Sequence, residues 1–251
     1  SSPIIRNCTI TNNQTSGSDA IGGGINIEDS APAIESCIIS YNSANNVGGG
    51  IACYNSNPVI FNCLIANNSA VYKGGGIDLE NSSPVITNCT IIVDDPNAPK
   101  DGGIFAYQNS LPVIKNCILW GNGDDLYNCS ATYSCIEDDD SGRGNIHVES
   151  TFVTGPLGNY YLSQKAAGQL SDSSGIDLGD PATDAALQLD MLTTRTDGLT
   201  DAGIVDMGFH YTAVPAKTVR LNVTVIGNGS LEPGSGTYRQ YEVVQLKADP
   251  N

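Results

Sequence analysis

A ten-residue phrase occurs five times in the first half of this chain. It reads SSPIIRNCTI from Ser1 and SSPVITNCTI from Ser82, and three related copies begin at Ser30, Ser56 and Ser110. Its proline recurs at intervals of 29, 26, 26 and 28 residues, and its cysteine keeps the same intervals. Self-similarity at a fixed period of this size is typical of repeat proteins, in which one unit cannot bury its apolar face alone and stacks on its neighbours.

A second phrase, Gly-Gly-Gly-Ile, lies between the copies of the first, at residues 22–25, 48–51 and 74–77, with a shortened form at 102–104. The chain lacks long runs of apolar residues at helical spacing, and each unit instead has three short β-branched runs bounded by Gly, Asn or Pro. Three strands in about 26 residues make one coil of a right-handed parallel β-helix, in which each coil lies about 4.8 Å above the last.

The sequence therefore predicts an all-β fold with three regions. Residues 1–150 form the parallel β-helix, with three strands per coil of about 26 residues. Residues 151–213 are an Asp-rich, irregular C-terminal cap that covers the last coil, and residues 214–251 are part of a small β-rich module, with predicted strands at 219–226 and 242–248.

Equal positions of stacked coils form ladders along the axis, so the phrase cysteines should lie one above another. Parallel neighbours keep their Cβ atoms about 4.8 Å apart, which is wider than the roughly 3.8 Å that a disulfide prefers, and we expect buried free thiols. A serine in such a position should leave a buried hydroxyl unpaired. Asparagine tolerates the left-handed conformation and is expected to form the preceding corner. The predicted ladder comprises Cys8, Cys37, Cys63, Cys89 and Cys117, with Asn7, Asn62, Asn88 and Asn116 at the corners.

Three further cysteines stand outside this phrase. Cys53 aligns with Ile27, Leu79 and Ala106 and is expected to be a small core residue. Cys129 and Cys135 leave two interpretations open: they pair with each other, or Cys135 is the next rung of the ladder after a shortened coil.

The strand after the glycine phrase has two outward-facing columns. One contains Asn26, Ala52, Asp78 and Phe105, and the other contains Glu28, Tyr54, Glu80 and Tyr107. Aromatic residues and carboxylates on a flat parallel sheet can hold a sugar chain, so Tyr54, Phe105 and Tyr107 are candidate sugar-binding residues. Asp78 and Glu80, about 7 Å apart, are the candidate catalytic pair of a glycosidase. Lys73 and Lys100 lie near the position that a lyase base would need. The alternative is that the outward-facing residues of this strand are ordinary solvated positions.

Charge limits the partners. A formal charge of −16 and a pI near 4.1 would repel a phosphate backbone, which argues against nucleic acid as a partner. The sequence contains no run of 18 apolar residues, so it predicts no membrane span. Calcium is the one cofactor that the sequence suggests, because Asp138, Asp139 and Asp140 offer hard oxygen ligands. Solvated acidic loops are the competing interpretation of that run.

The phrase pattern, together with the terminal motif TDGLTDAGIVDMGFHY over residues 196–211, resembles secreted right-handed parallel β-helix repeat proteins of environmental bacteria, planctomycete-like ones especially. Residues 221–251 are similar to the first part of a bacterial surface repeat related to the internalin B-repeats. Both resemblances imply an extracellular or cell-surface setting.

Three functions of different class are compatible with these observations: a structural or adhesive surface protein, a carbohydrate-binding module and a polysaccharide-cleaving enzyme. The first is our expectation. Ser1 begins in phase with the repeat, and the last residues suggest half of a module. We therefore expect either further chain at both ends or head-to-tail assembly of copies into a filament.

Overall fold

The computed structural model describes residues 2–93, 102–183, 189–201, 203–215, 217–224, 229–233 and 235–250. They form two compact units, each assembled from separate stretches of the chain. The first unit comprises Ser1–Ser150, Ser174–Gln188 and Gly203–His210, and the second comprises Thr151–Ser173, Leu189–Ala202 and Tyr211–Asn251.

The first unit is the predicted all-β right-handed β-helix, with three parallel strands per coil of about 26 residues. Sheet 1, built from the proline phrase, contains β1 (Ile4–Arg6), β4 (Ala33–Glu35), β8 (Val59–Phe61), β12 (Val85–Thr87), β15 (Val113–Lys115) and β18 (Ala131–Thr132). Sheet 2, which follows the cysteines, contains β2 (Thr9–Thr11), β5 (Ile38–Ser40), β9 (Leu64–Ala66), β13 (Thr90–Ile92), β16 (Ile118–Trp120) and β19 (Cys135–Ile136). Sheet 3, which follows the glycines, contains β3 (Ile25–Glu28), β7 (Ile51–Tyr54), β11 (Ile77–Glu80), β14 (Ile104–Tyr107) and β17 (Leu126–Tyr127). A short pair, β6 (Ser43–Ala44) and β10 (Ser69–Ala70), lies between sheets 2 and 3 in each of two coils.

Inward-facing side chains stack by type along the axis. Ile34, Ile60, Ile86 and Ile114 form the column of sheet 1, and Ile39, Ile65, Ile91 and Leu119 form that of sheet 2. The column of sheet 3 contains Ile27, Cys53, Leu79 and Ala106, which confirms the alignment of Cys53 with its apolar neighbours. Each of these residues is at most 4% exposed. The core is therefore a continuous apolar rod, to which every coil contributes side chains from all three sheets.

The coil turns at three corners, and the same backbone conformation makes each turn. Residues with positive φ recur at all three corners, as at Asn62 (50°), Asn55 (48°) and Asn67 (55°). Asparagine occupies most of these positions because its short polar side chain tolerates the left-handed region. The corners before the cysteines have φ values from 49° to 54°, at Asn7, Ser36, Asn62, Asn88, Asn116 and Tyr133.

The residue after each corner has a small polar side chain that points into the core. This side chain accepts a hydrogen bond from the backbone N–H of the equivalent residue one coil earlier. Serine does so at the first corner, where Ser56 N–H donates to Ser82 Oγ at 2.9 Å. Asparagine does so at the third, where Asn42 N–H donates to Asn68 Oδ1 at 2.9 Å. A buried N–H without an acceptor costs about 1 to 3 kcal/mol, so these side chains are needed wherever the strand is interrupted.

Cysteine has this role at the second corner. The N–H of Cys63 donates to Cys89 Sγ at 3.4 Å, and the Cys89 thiol in turn lies 3.3 Å from the carbonyl oxygen of Thr87. Cys37, Cys63, Cys89 and Cys117 are fully buried, Cys8 is exposed, and all eight cysteines of the chain are free thiols. Burial raises the pKa of Cys53 and of Cys89. The ladder thus consists of free thiols, which are buried at every position except Cys8.

The interpretation of Cys135 as the next rung is wrong, because the rung is Ser134. Ile118 pairs with Cys135, so the residue opposite Cys117 is Ser134. Its Oγ accepts the N–H of Cys117 and donates to the carbonyl oxygen of Thr132, both at 3.0 Å. A serine at this corner therefore has a donor and an acceptor, and the expectation that its hydroxyl would be unpaired is also wrong.

The glycine phrase is needed because neighbouring coils approach each other closely there. A Cβ atom on Gly50 would lie 2.6 Å from the carbonyl oxygen of Gly76 in the next coil. Gly48 and Gly74 have φ of +69° and +60°, which side chains rarely adopt. The phrase therefore allows neighbouring coils to pack closely just before sheet 3.

Two stretches from the Asp-rich region, residues 174–183 and 203–210, lie along the side of the β-helix. His210 N–H donates to Asn62 Oδ1 at 2.7 Å, and Asn62 Nδ2 donates to the carbonyl oxygen of His210 at 2.9 Å. Phe209 N–H donates to Thr90 Oγ1 at 3.0 Å, and Lys115 forms an ion pair with Asp180. These stretches use the corner asparagines as hydrogen-bonding partners. Beyond the last coil, Ile146 continues the stacking as an isolated bridge to Cys135.

The second unit is built from antiparallel pairs and two short 3-10 helices, Lys165–Ala167 and Leu189–Met191. Its strands are β20 (Phe152–Gly155), β21 (Gly158–Leu162), β22 (Leu192–Thr193), β23 (Tyr211–Thr212), β24 (Thr218–Leu221), β25 (Gly229–Glu232), β26 (Gly236–Arg239) and β27 (Lys247–Pro250), which pair in the order β20 with β21, β22 with β23, β24 with β26 and β25 with β27. Of the two strands predicted here, 219–226 overlaps β24, after which the N–H of Val223 bonds to Ser235 Oγ, and 242–248 overlaps only the start of β27; residues 225 and 226 lie outside the described residues. Asp197 is bound by both Arg195, at 2.6 Å, and Arg239, at 3.1 Å.

The ladder leads to a prediction about Cys89. The Cys89→Ser variant should change the free energy of unfolding by less than about 1 kcal/mol, because a hydroxyl can accept from Cys63 N–H as Ser134 does from Cys117 N–H. The Cys89→Ala variant should lose about 1 to 3 kcal/mol, since the N–H loses its acceptor. Urea unfolding of the two variants checks this order. An alanine variant as stable as the serine variant would contradict the role given to the sulfur.

Candidate functional site

The outer face of sheet 3 carries an exposed row in which carboxylates and aromatic rings alternate. The row consists of Glu28, Tyr54, Glu80 and Tyr107, which pair directly from β3 to β7, β11 and β14. Tyr54 is 38% exposed and Tyr107 is 49% exposed. Neighbouring members are one strand apart, about 4.8 Å, so like members recur at about 9.6 Å. The row offers two tyrosine rings with a carboxylate between them.

The second outward-facing row of this sheet is covered at its three middle positions, whereas Asn26 at one end and Tyr127 at the other are exposed. Ala52 and Phe105 are each 2% exposed, and Asp78 is 7% exposed. Lys73 contributes to this covering, with its Nζ atom 4.2 Å from the centre of the Phe105 ring. Gly74 also lies against this row, because a Cβ atom there would be 2.8 Å from that of Asp78. Of the three aromatic residues predicted to bind sugar, Tyr54 and Tyr107 are therefore accessible and Phe105 is buried.

Tyr127 extends the aromatic surface and was missed in the sequence. Its ring stacks on that of Phe105, with centroids 4.4 Å apart and planes inclined by 14°, and Phe105 lies 6.4 Å from the Tyr107 ring. Tyr127 belongs to a shortened coil, in which the glycine phrase is absent, so the period gives no register for it. The sequence feature that could have predicted its position is the pair Leu126-Tyr127, an apolar residue followed by an aromatic one, which aligns with Ile104-Phe105.

Asp78 has an electrostatic environment that favours the protonated acid. Burial raises the pKa of its carboxyl to about 7, the charge of Glu80 contributes to the rise, and the charge of Lys73 opposes it. Glu80, two residues further along the same strand, is partly exposed. Of the two lysines considered for a base, Lys73 lies over the covered row, and Lys100 lies outside the described residues.

One carboxylate of the acidic run considered for calcium accepts an internal hydrogen bond. Asp138 Oδ2 accepts the N–H of Asp125 at 2.8 Å, Asp139 is exposed, and Asp140 is partly exposed. Burial, followed by the charge of Asp138, raises the pKa of Asp140, and His147 opposes this shift. Within the part of the chain that the structure describes, no three His, Cys, Asp or Glu side chains are arranged to hold a metal ion. Calcium binding by this run stays a prediction.

The arrangement on sheet 3 has two chemical capacities. Exposed tyrosine rings and a carboxylate in one line can bind sugar rings by stacking and hydrogen bonding. A buried acid two residues from a more exposed carboxylate has the form of a general acid with a partner. Both capacities concern the same face of the same sheet.

Comparison with known proteins assigns the fold to a family. The chain matches the family described as the right-handed β-helix region over residues 1–153, and it belongs to that family. It matches none of the curated proteins. In the described residues, the helices lack the length and apolar character that a membrane crossing would require.

The pKa of Asp78 predicts a measurable dependence of stability on pH. Because the folded-state pKa lies above the ordinary value of 3.8, the folded protein holds this proton more tightly, and its stability falls as pH rises from about 4 to about 8. The Asp78→Asn variant should lack this component, which amounts to about 2 to 4 kcal/mol. It should therefore gain stability relative to the wild type over that interval in urea unfolding at a series of pH values. Parallel pH profiles of the two proteins would show that Asp78 is ionised with an ordinary pKa.

Proposed function

We propose that this protein is an extracellular, non-catalytic surface protein that holds a polysaccharide along the outer face of sheet 3. The observation that carries the proposal is the exposed row of tyrosines and glutamates, aligned along the β-helix axis by direct strand pairing. A sugar chain lying along that row would meet one side chain at every strand. This gives the structural or adhesive role expected from the sequence a specific surface.

Several features support binding by this row. Tyrosine rings lose little conformational entropy on binding and offer both a flat apolar face and a hydroxyl. The side chains stand on paired strands, which hold a binding site more rigidly than loops do. Membership of the right-handed β-helix family fits a surface or polysaccharide-related protein in general. The formal charge of −16 disfavours a nucleic acid partner.

The row predicts which side chains a polysaccharide needs. The Tyr54→Ala and Tyr107→Ala variants should each bind the ligand about tenfold more weakly, a loss of roughly 1.4 kcal/mol. Tyr41→Asn is the matched control, because Tyr41 is 60% exposed and lies at the corner that follows sheet 2. The equivalent residues of neighbouring coils, Asn12 and Asn67, are asparagines, so the substitution suits this corner. Affinity electrophoresis in gels containing a panel of polysaccharides gives the measurement. Equal retardation of wild type and both row variants by every retarding polysaccharide would place the binding surface elsewhere.

The second candidate function is cleavage of the bound polysaccharide. It is favoured by the burial of Asp78, whose pKa is about 7, beside the more exposed Glu80. Two carboxylates about 7 Å apart lie within the wide range found in glycosidases.

Our expectation for this second candidate is no cleavage by the wild-type protein. Reducing-sugar release from the polysaccharides that bind is the measurement, with Asp78→Asn and Glu80→Gln as variants. Cleavage by the wild type that either variant abolishes would reverse the order of the two functions. The head-to-tail filament and the cell-surface location stay predictions from the sequence.

A further inference from the structure

Carboxylates dominate the charge of sheet 3. The five strands of this sheet, all described in the structure, contain Glu28, Asp78 and Glu80 and no lysine or arginine. Glu28 and Glu80 stand in the exposed row and flank Tyr54. A polysaccharide of uronic acids would place its own carboxylates against these side chains, and the formal charge of −16 on the chain would add to the repulsion.

Lys73 shows which charge this face accommodates. Its ammonium nitrogen lies 4.2 Å from the centre of the Phe105 ring and 6.0 Å from that of Tyr127. The charge of this ammonium also favours ionisation of Asp78. An ammonium over an aromatic face, with a carboxylate nearby, is a favourable arrangement for a primary amine. The covered row therefore already contains, within the protein, the kind of contact that an amine would make.

The exposed row also combines tyrosine rings with carboxylates. The strands that carry it, all of them described, contain no lysine or arginine. Its carboxylates recur every second strand, at about 9.6 Å, with a tyrosine ring in between. Extended β-linked polysaccharides turn alternate sugars over, so their equivalent substituents also recur every second sugar. A chain lying along the row can thus stack rings on the tyrosines while its like substituents meet the glutamates.

We propose that the polysaccharide held on sheet 3 carries primary amines, with ammonium groups bound at Glu28 and Glu80 and sugar rings stacked on Tyr54 and Tyr107. This inference rests on the proposed function and adds the class of ligand to it. The ligand class is an amino sugar polymer whose amines are free, as opposed to acetylated or replaced by carboxylates.

Three probes of the same length test the ligand class with the full chain: an oligomer of β-1,4-linked glucosamine, its fully N-acetylated counterpart and an oligogalacturonate. Isothermal titration at about pH 6, where exposed carboxylates are ionised, measures each affinity. We expect the free-amine oligomer to bind at least about tenfold more tightly than the acetylated one, and the oligogalacturonate to bind more weakly than both.

Two isosteric variants and one control locate the selectivity. The Glu28→Gln and Glu80→Gln variants should each lower the affinity for the free-amine oligomer several-fold and leave the affinity for the acetylated oligomer unchanged. Glu149→Gln removes an equal charge from an exposed position outside the strands of sheet 3 and should change neither affinity. A loss as large in Glu149→Gln as in Glu80→Gln would mean attraction by the net charge alone and would overturn the site.

The remaining outcomes separate this inference from the proposed function. If the acetylated oligomer or the oligogalacturonate binds as tightly as the free-amine oligomer, and Tyr107→Ala weakens that binding, the ligand class is wrong and sheet 3 still binds polysaccharide. If none of the three oligomers binds, and no polysaccharide of the wider panel retards the protein, both the inference and the proposed function fail.

Discussion

The structure depends on one kind of hydrogen bond that recurs at all three corners of the coil. A residue with positive φ turns the chain, and the next residue gives its N–H to a side chain one coil further along. Serine, cysteine and asparagine each provide this acceptor at a different corner, and all three fit beside the apolar columns. Without the acceptor, each turn would bury an unpaired donor at a cost of about 1 to 3 kcal/mol. Because the acceptor is always supplied by the next coil, the bond also fixes the register between coils.

That register brings the residues of sheet 3 into line. Side chains 26 or 27 residues apart in sequence, such as Tyr54, Glu80 and Tyr107, become direct neighbours on paired strands. The same register also places Asp78 beneath the Lys73 segment, where its carboxyl is shielded from water. The exposed row and the covered row lie on one sheet and differ mainly in access to solvent. The proposed binding therefore concerns the exposed row, and the raised pKa of Asp78 concerns the covered row.

The sequence was sufficient for the coil and only partly sufficient for its surface. The spacing of the proline and cysteine phrases predicted the strands, because the core positions repeat in the same order in every copy at intervals of 26 to 29 residues. The sequence did not show that Ser134, and not Cys135, follows Cys117 in the ladder. The last coil is shortened, so the repeat spacing no longer assigns this position. The sequence also did not show that Asp78 and Phe105 are covered, because their burial depends on a segment outside the strand. The partners of Asn62 were out of reach for a related reason: His210 is 148 residues away and has no place in the repeat.

The corner bonds all run in the same direction, from the N–H of one coil to the side chain of the next, and this has a consequence for how such a chain can evolve. A duplicated or deleted segment of one full coil keeps the corner donors opposite their acceptors, whereas an insertion of one or two residues within a strand shifts the corners on either side of it out of register. Each added coil lengthens the row on sheet 3 by one side chain. Under the proposed function, the number of coils sets the length of sugar chain that the row can bind.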